Sequence, residues 1–268
     1  MSAATSLVPS RLAHGGSWWR AFGFTLAVLL ILALALSTVS DIAYFPIPSH
    51  QRIFAQHVTA LNIQLDSGSI TIERTSGHDI VVENSGARGL TTPTNHERVT
   101  GHTLSIRSSC TPRIFNFCQR NYVIRVPNSV TISADTGQAG ITVSGIDSSM
   151  SLETSQGDVS VVGAKGSVRV STGQGEVMLS RIDASSVSAS SGQGDVTVNF
   201  TSPPTSVTAT SSQGGVTVGL PDGPATYHVK ATSSQGSVTD TVNESPSSSR
   251  AIHASSGQGN VVVRYDSR

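Results

Sequence analysis

The chain has 268 residues, a formal net charge of +0 at pH 7 and a charged fraction of only 13%. Nucleic-acid-binding proteins usually concentrate basic residues on one surface, and this balanced composition gives no sign of such a surface, so nucleic acid is excluded as a partner. Aromatic residues make up only 5% of the chain. The composition is typical of a thin core of small β-branched side chains.

Residues 21–40 carry no charged side chain. Because a helix rises 1.5 Å per residue, about 20 residues can cross the roughly 30 Å hydrocarbon core of a membrane. Arg11 and Arg20 precede the segment, and the first acidic residue is Asp41. The positive-inside rule therefore predicts a single-pass signal anchor, with a cytoplasmic tail over 1–20 and the remaining chain outside the cell membrane.

A cleavable signal peptide is the alternative, since small residues follow the apolar run over 35–40. The apolar run is longer than the 7–15 residues typical of a signal-peptide core, which favours the anchor. Both interpretations export the rest of the chain.

Residues 41–57 are predicted to be a linker stiffened by Pro46 and Pro48. Over 58–128, short segments of alternating polar and apolar residues are separated by Gly, Asn and Pro, which is the pattern of β-strands. This region is predicted to be an irregular β lead-in that caps a more regular body. Residues 261–268, with their charges and Tyr265, are the corresponding candidate for a C-terminal cap.

The chain has two cysteines, Cys110 and Cys118. Both lie in the exported part, where an oxidising compartment favours a disulfide between them. They lack a CxxC spacing and a nearby histidine, which argues against a metal site.

The regular body, over 129–268, contains seven copies of a Ser/Thr-rich turn built around Gln and Gly. Each turn is followed by apolar residues that alternate with polar ones, as in the segment DVTV that ends at Val198. Alternation with period two predicts strands with one buried face. Repeats of this length predict an all-β fold, a parallel β-solenoid (β-helix) with about 18–23 residues per coil.

Each predicted strand has a pair of inward apolar residues, and the number of residues from one pair to the next distinguishes the two corners of each coil. Steps leading into a Gln-Gly turn, such as Val168 to Val177, are always nine residues, whereas steps leading out grow from 9 to 14 toward the C-terminus. One corner is therefore fixed and the other variable. An antiparallel meander is the alternative, but a meander gives no reason for alternate turns to stay constant. Positive φ angles are expected at the fixed-corner glycines, namely Gly157, Gly175, Gly194, Gly214, Gly236 and Gly259.

Asp158, Glu176 and Asp195 follow the repeated Gly in three consecutive coils. Stacking would place their carboxylates about 4.8 Å apart. A solvated turn is the favoured interpretation, and a cation site is the alternative. The eight histidines are scattered, and HExxH and GxSxG motifs are absent from the sequence. No catalytic residue, cofactor or metal site is predicted.

Two further rows follow from the same repeat. The turn glutamines are candidates for a stacked amide ladder. The outward residues of the strands after each turn form a mostly hydroxyl-bearing stripe, for which a solvated face is favoured over sugar binding. This stripe comprises Thr142, Ser160, Met178, Thr197, Thr217, Thr239 and Val262.

The pattern includes YVIRVPNSVTISADTGQAGITV over 122–143 and GPATYHVKATSSQGSV over 223–238, and its most specific parts are the segment 122–127, which leads into the first repeat, and the segment 220–238. Together with the apolar helix and the repeats, they resemble a bacterial adhesin-like β-repeat family, a domain of unknown function. The resemblance covers roughly 55–265. It implies a right-handed, exported or membrane-tethered β-solenoid and carries over no catalytic residues.

The leading hypothesis is a membrane-anchored, extracytoplasmic, adhesin-like β-solenoid that acts as a non-enzymatic interaction module of the cell envelope. Its expected partners are the membrane, through one helix, and a surface glycan or envelope protein. The loops over 199–206, 219–227 and 241–250 are the expected binding surface, because insertions in repeat arrays often map to the binding face. An envelope sensor with a membrane partner is the alternative. A polysaccharide-modifying enzyme that uses Asp158, Glu176 and Asp195 is the third.

Overall fold

The structure is a computed structural model that describes residues 17–42, 45–55, 57–89, 92–110 and 118–266. Within these ranges one α-helix, α1 (Ser17–Ile42), precedes nineteen strands. The lead-in contains β1 (Phe45–Phe54), β2 (Ala60–Arg74), β3 (Ile80–Arg88), β4 (Thr94–Thr100), β5 (Thr103–Ser109) and β6 (Cys118–Val126). The regular body contains β7 (Thr131–Ser144), β8 (Met150–Gln156), β9 (Val159–Val162), β10 (Val168–Gln174), β11 (Val177–Ile182), β12 (Ser186–Ser191), β13 (Val196–Phe200), β14 (Ser206–Ser211), β15 (Val216–Pro221), β16 (His228–Ser233), β17 (Val238–Asp240), β18 (Ala251–Ser256) and β19 (Val261–Asp266).

Helix α1 contains the whole segment 21–40 that was predicted to cross the membrane. In the part of the chain that the structure describes, no helix combines the length and the apolar character that a membrane crossing requires. The helix is present over the predicted residues, and its role as a transmembrane segment stays a prediction.

The regular body is a parallel β-solenoid, as predicted, and the antiparallel meander is wrong. Each coil contributes one strand to a first stack and one to a second. In the first stack, Val168 of β10 pairs in parallel with Met150 of β8 and with Val187 of β12. In the second stack, Val177 of β11 lies between Val159 of β9 and Val196 of β13. The long strands β2 and β7 run through both stacks.

The core is a column enclosed by the two stacks. Along β10 the burial alternates, so that Val168 and Val170 point inward while Arg169 is exposed. On β11, Val177 and Leu179 are fully buried in the same way. Because successive residues of a strand face opposite sides, the period-two pattern of the sequence places one Val, Ile or Leu layer per coil in the column.

The order of the last coils departs from the order of the sequence. Ile252 of β18 pairs with Val207 of β14 on one side and with Val229 of β16 on the other. Val261 of β19 likewise lies between Val216 and Val238. The coil β18–β19 is therefore inserted between β14–β15 and β16–β17, and the prediction that 261–268 form the C-terminal cap is wrong.

Burial differs between the inner and the outer of these two coils. Ile252 and Val261 are buried, whereas Val229 of the outer coil is only partly buried and Val238 is 46% exposed. The inner coil is covered by a neighbour on each side, whereas the outer coil pairs on one side only. The connection over 222–227 carries the chain past the place of one coil, and the connection over 241–250 then brings it back to that place, where neighbouring strands are about 4.8 Å apart.

The N-terminal end has the same inversion. β2 pairs with β7 on one side and with β5 and β6 on the other, although β5 and β6 come later in the chain. Three antiparallel strands complete this end: β4 pairs with β5, β3 pairs with β6, and β1 pairs with β3.

Strand β1 lies inside the predicted linker over 41–57. Its pairing with β3 shifts register between Ile47 and His50, around Pro48. Proline lacks the N–H needed for a central strand and is tolerated at an edge. The same prolines that suggested a stiff spacer are thus compatible with an edge strand.

A disulfide joins Cys110 and Cys118, whose Cα atoms are 6.0 Å apart. The Cys110 N–H also donates to the Asp66 carboxylate at 3.0 Å. The residues between the two cysteines lie outside the described ranges. The bridge ties the end of β5 to the beginning of β6, at the N-terminal end of the solenoid.

Candidate functional site

The fixed corner is held by buried hydroxyl groups. Ser211 Oγ accepts a hydrogen bond from the Gly214 N–H of its own turn and donates to the Gly194 carbonyl of the preceding coil, both at 2.8 Å. Ser191 makes the equivalent pair of bonds with Gly194 and Gly175. One hydroxyl therefore closes a turn and joins two coils. Ser233 and Ser256 repeat this arrangement, and Thr154 and Thr172 make the bond to the neighbouring coil.

The expected role of the corner glycines needs correction. Among the six, only Gly157 and Gly175 have φ angles in the positive range, at 153° and 158°. At Gly194 and Gly214, a Cβ atom would instead overlap the carbonyl of the corner glycine in the neighbouring coil. Close stacking of backbones, rather than a left-handed turn, is what excludes a side chain here.

The turn glutamines do not form the anticipated amide ladder. Gln156, Gln174, Gln193, Gln213 and Gln235 are exposed, as is Gln258. The hydroxyl groups form the hydrogen-bonded row at this corner. Their sequence signal is a Ser or Thr three residues before the corner glycine, as with Ser211 and Gly214.

We expect Ser211→Ala to lower the free energy of unfolding by about 1–3 kcal/mol, because it leaves a buried N–H and a buried carbonyl without partners. Chemical unfolding of the full chain measures the change. Ser211→Thr restores the hydroxyl and should stay within about 0.5 kcal/mol of the wild type, as should Gln213→Ala at the exposed neighbouring position. Equal stability of Ser211→Ala and Ser211→Thr would contradict this role.

The acidic column at the same corner also serves the backbone. Asp158 Oδ1 accepts the Glu176 N–H at 2.8 Å, and Asp195 Oδ1 accepts the Gly215 N–H at 2.7 Å. Asn260 Oδ1 accepts the Ser237 N–H at 2.9 Å in the same way. Asp and Asn are interchangeable here because only an acceptor is required. Within the described ranges, no three His, Cys, Asp or Glu side chains are grouped so that they could hold a metal ion.

The hydroxyl-bearing stripe does form one row on the outer face of the second stack. Thr142, Ser160 and Met178 are in register, and Thr197, Thr217 and Val262 continue the row. A groove of about 480 Å³ lies instead on the outer face of the first stack, where Ser133, Ser151 and Arg169 contribute to its lining. Its lining is a periodic surface without a buried charge.

The variable corners of the last coils, over 201–205, 222–227 and 241–250, form one edge of the solenoid, which we call the loop edge. Two of these loops bind each other: the Tyr227 N–H donates to the Asn243 carbonyl, and the Ser245 N–H donates to the Tyr227 carbonyl. The Tyr265 hydroxyl accepts the Asn243 N–H at 2.9 Å. Tyr227 was expected on the surface but is fully buried, so it is a core residue beneath the loops. Burial raises the pKa of its hydroxyl, with a smaller contribution from Tyr265.

Asp240 lies where the last of these loops begins. Burial raises the pKa of its carboxyl above 3.8, the Val242 N–H opposes that rise, and the neighbouring Glu244 adds to it. The folded chain therefore binds this proton more tightly than the unfolded chain does. Its contribution to stability is complete below a pH of 3.8 and is lost as the pH rises through the raised folded value.

Asp240→Asn removes the ionisation but keeps the Oδ1 acceptor for Val242. We expect the variant to be more stable than the wild type at about pH 7, with a difference that disappears toward about pH 3. Chemical unfolding at both pH values provides the measurement, and Asp222→Asn on an exposed loop is the control. A difference between Asp240→Asn and wild type that does not change with pH would contradict the assignment.

A polar cluster that the sequence analysis missed lies at the N-terminal end, between the two outermost strands, β1 and β4. The Glu97 side chain is only 1% exposed. Its Oε1 accepts hydrogen bonds from Asn84 Nδ2 at 2.8 Å and Asn95 Nδ2 at 3.1 Å, and its Oε2 accepts from Arg52 Nη1 at 3.2 Å. Arg120 Nη1 donates to Asn84 Oδ1 at 3.0 Å. A buried carboxylate and a buried guanidinium are thus linked through one amide.

Tyr122 extends the cluster, because its hydroxyl donates to Asn95 Oδ1 at 2.7 Å. Burial, followed by the nearby Glu97 carboxylate, raises the pKa of Tyr122 to about 12. The hydroxyl is therefore a fixed donor at neutral pH. One sequence signal pointed to this cluster: the period-two pattern of β6 puts Arg120 on the same face as Tyr122 and Ile124.

The cluster lines a cavity of about 390 Å³. Strand β1 supplies one wall, β4 supplies another, and Asn84 and Arg120 lie beneath. This end cavity, as we call it, is lined by Ile47, Pro48, His50, Arg52, Asn84, Asn95, Glu97 and Arg120. It is open to the surface and is lined by buried charged side chains. The fixed corner and the outer groove lack this combination.

The fold gives the class of the protein, which is a parallel β-solenoid with an antiparallel lead-in. The Toastrack DUF4097 family model matches residues 125–267, just over half of the chain. The chain belongs to this family, and the resemblance to an adhesin-like domain of unknown function is confirmed. No curated protein matches the sequence.

Three solved structures are similar to the chain. A candidate adhesin from Bacteroides fragilis is 15% identical, with 82% of this chain and 97% of that chain covered and a TM-score of 0.44. A candidate cell-adhesion protein from Clostridium sporogenes is 14% identical, with coverage of 82% and 100% and a TM-score of 0.38. A candidate lipid-binding protein from Parabacteroides distasonis is 11% identical, with coverage of 82% and 97% and a TM-score of 0.39. At this level of similarity they carry no functional argument.

Proposed function

We propose that this chain is a non-enzymatic, adhesin-like interaction module of the cell envelope, and that the loop edge binds a surface glycan or an envelope protein. The observation that carries the proposal is the gathering of the loops onto one edge, while the opposite corner is occupied by structural hydrogen bonds. Loops supported by a rigid scaffold are where binding residues usually lie.

The binding residues within the loop edge are the exposed ones. Asp222, Pro224 and Ser249 are exposed, whereas Tyr227 is buried and the backbone of Asn243 and Ser245 holds the loops together. The loops can therefore offer side chains to a partner without losing their own conformation. Such preorganisation lowers the conformational-entropy cost of binding.

The proposal includes attachment to the cell membrane through α1, with residues 1–20 in the cytoplasm and the β-solenoid outside. Two features support it: the uncharged segment 21–40 and the exposure of the described apolar side chains of α1. Phe24 is 74% exposed and Ile31 is 65% exposed. Exposed apolar side chains over 22–34 need an apolar environment, and lipid provides one.

The loop edge is tested by placing lysines on three of its loops, with Thr205→Lys, Asp222→Lys and Ser249→Lys in one full-length variant. Because Asp222→Lys also removes a negative charge, the matched control carries four lysines at exposed fixed-corner positions, Gln193→Lys, Gln213→Lys, Gln235→Lys and Gln258→Lys, which raise the net charge by the same amount. Binding of cells that display each protein to immobilised envelope glycan and envelope protein is measured. We expect the loop variant to lose at least about tenfold in binding and the control to keep it.

Equal binding by the two lysine variants would exclude the loop edge as the binding surface. Copurification of a stoichiometric membrane protein with the wild type, without binding to envelope material, would instead favour the sensor alternative.

The membrane tether is tested with Leu29→Lys and Ile31→Lys combined, because a lysine at the centre of a membrane helix costs roughly 3 kcal/mol. Met178→Lys, at an exposed apolar residue of β11, is the control. We expect wild type and control to stay in the membrane fraction after carbonate extraction and the double variant to be released. Release of the wild-type chain by carbonate would refute the tether.

A further inference from the structure

We propose that the end cavity binds a small monocarboxylate of monosaccharide size, whose carboxylate pairs with Arg120. This site is separate from the loop edge and goes beyond the proposed function. It lies at the opposite end of the stack from the longest loops. Its failure or success leaves the role of the loop edge unchanged.

Arg120 carries a buried positive charge. This side chain is 8% exposed, and it faces the space between the stacks from β6. Its Nη1 donates to a neutral amide, Asn84, and its Nε is enclosed by the protein without a hydrogen-bond partner among the described residues, so the part of Arg120 that lines the cavity has to meet the ligand. No carboxylate in the described ranges forms an ion pair with it. A buried guanidinium without an anion is unfavourable, so an anion in the cavity would complete its interactions.

The other polar groups of the cluster already have partners. Both Glu97 oxygens accept hydrogen bonds, and Asn84 both donates and accepts. Asn95 likewise donates to Glu97 and accepts from Tyr122. If the cluster had only a structural role, its buried cation would be expected to have an anionic partner as well. The group that remains is a donor with a positive charge, which points to an anionic acceptor.

The balance of charges selects a monoanion. Arg52 and Arg120 contribute two positive charges and Glu97 contributes one negative charge, so a single added negative charge neutralises the three. A dianion such as phosphate would place excess negative charge beside the Glu97 carboxylate. The planar guanidinium group also matches the geometry of a carboxylate, which it can bind through two parallel hydrogen bonds.

The walls set the size of the ligand. A volume of about 390 Å³ accommodates a monosaccharide with its hydration water. Ile47 and Pro48 give one apolar wall, while His50 and the half-exposed Arg52 lie nearer to solvent. A sugar acid fits this combination, because its carboxylate can reach Arg120 while its ring contacts the apolar wall and its hydroxyls remain hydrated.

The experiment is isothermal titration calorimetry on the detergent-solubilised full chain. Glucuronate is the probe, glucose is its neutral analogue, and inorganic phosphate is the dianionic comparison. We expect saturable binding of glucuronate, none of glucose and weaker binding of phosphate. Methyl glucuronoside separates two sources of the ligand: binding equal to that of glucuronate indicates a uronic acid at the end of a glycan, and weaker binding indicates a free sugar acid.

Three variants test the residues. Arg120→Gln should weaken glucuronate binding by at least about tenfold. Arg52→Gln, at a half-exposed position, keeps the proposal testable if Arg120→Gln fails to fold, and it should weaken binding roughly threefold because one positive charge is lost. Arg98→Gln, on the outward face of β4, should bind like the wild type.

Absence of saturable glucuronate binding by the wild type would overturn the proposal. So would undiminished binding by both Arg120→Gln and Arg52→Gln. Equal affinities for phosphate and glucuronate would overturn the assignment of a monocarboxylate.

Discussion

Contact between neighbouring coils is the constraint on which this structure depends. A single coil can neither bury its Val and Ile residues nor satisfy its strand edges, so each coil is stabilised by the coils on both sides. At the fixed corner this contact becomes a specific hydrogen bond, because a Ser hydroxyl such as that of Ser211 binds the turn of its own coil and the corner carbonyl of a neighbouring coil. The glycines at that corner follow from the same contact, since any side chain would meet the neighbouring backbone.

The need for contact between neighbouring coils also explains the inverted order of coils at both ends. A coil at the end of a stack leaves one row of backbone N–H and C=O groups unpaired, and such edges promote association with other chains. Here the first and last coils of the chain, β2 and β18–β19, lie inside the stack. The exposed ends are formed by internal segments of the chain. Each of these segments is connected to the rest of the solenoid at its beginning and at its end. The end cavity and the longest loops occur at these two ends, where the demands of stacking are relaxed.

Much of the body could be predicted from the sequence. The period-two pattern determines which residues face the core, and the constant nine-residue step into each turn separates the fixed corner from the variable one. The order of coils could not be predicted, because every repeat offers nearly the same apolar face to any neighbour. The end cavity could not be predicted either, since Arg52, Glu97 and Arg120 come from three strands far apart in the chain. Arg120 on the apolar face of β6 was the one local sign, and Tyr227 was misplaced because its buried role depends on two loops that pack together.

The central claim is that coils are stabilised by their neighbours in the stack rather than by their place in the sequence. Native-state hydrogen exchange, resolved by peptide, tests it directly at the C-terminal end. We expect the amides of β18 and β19 to exchange more slowly than those of β16 and β17, because β18 and β19 pair on both sides. Faster exchange in β18 and β19 than in β16 and β17 would mean that the chain end forms the end of the stack, and would contradict the account.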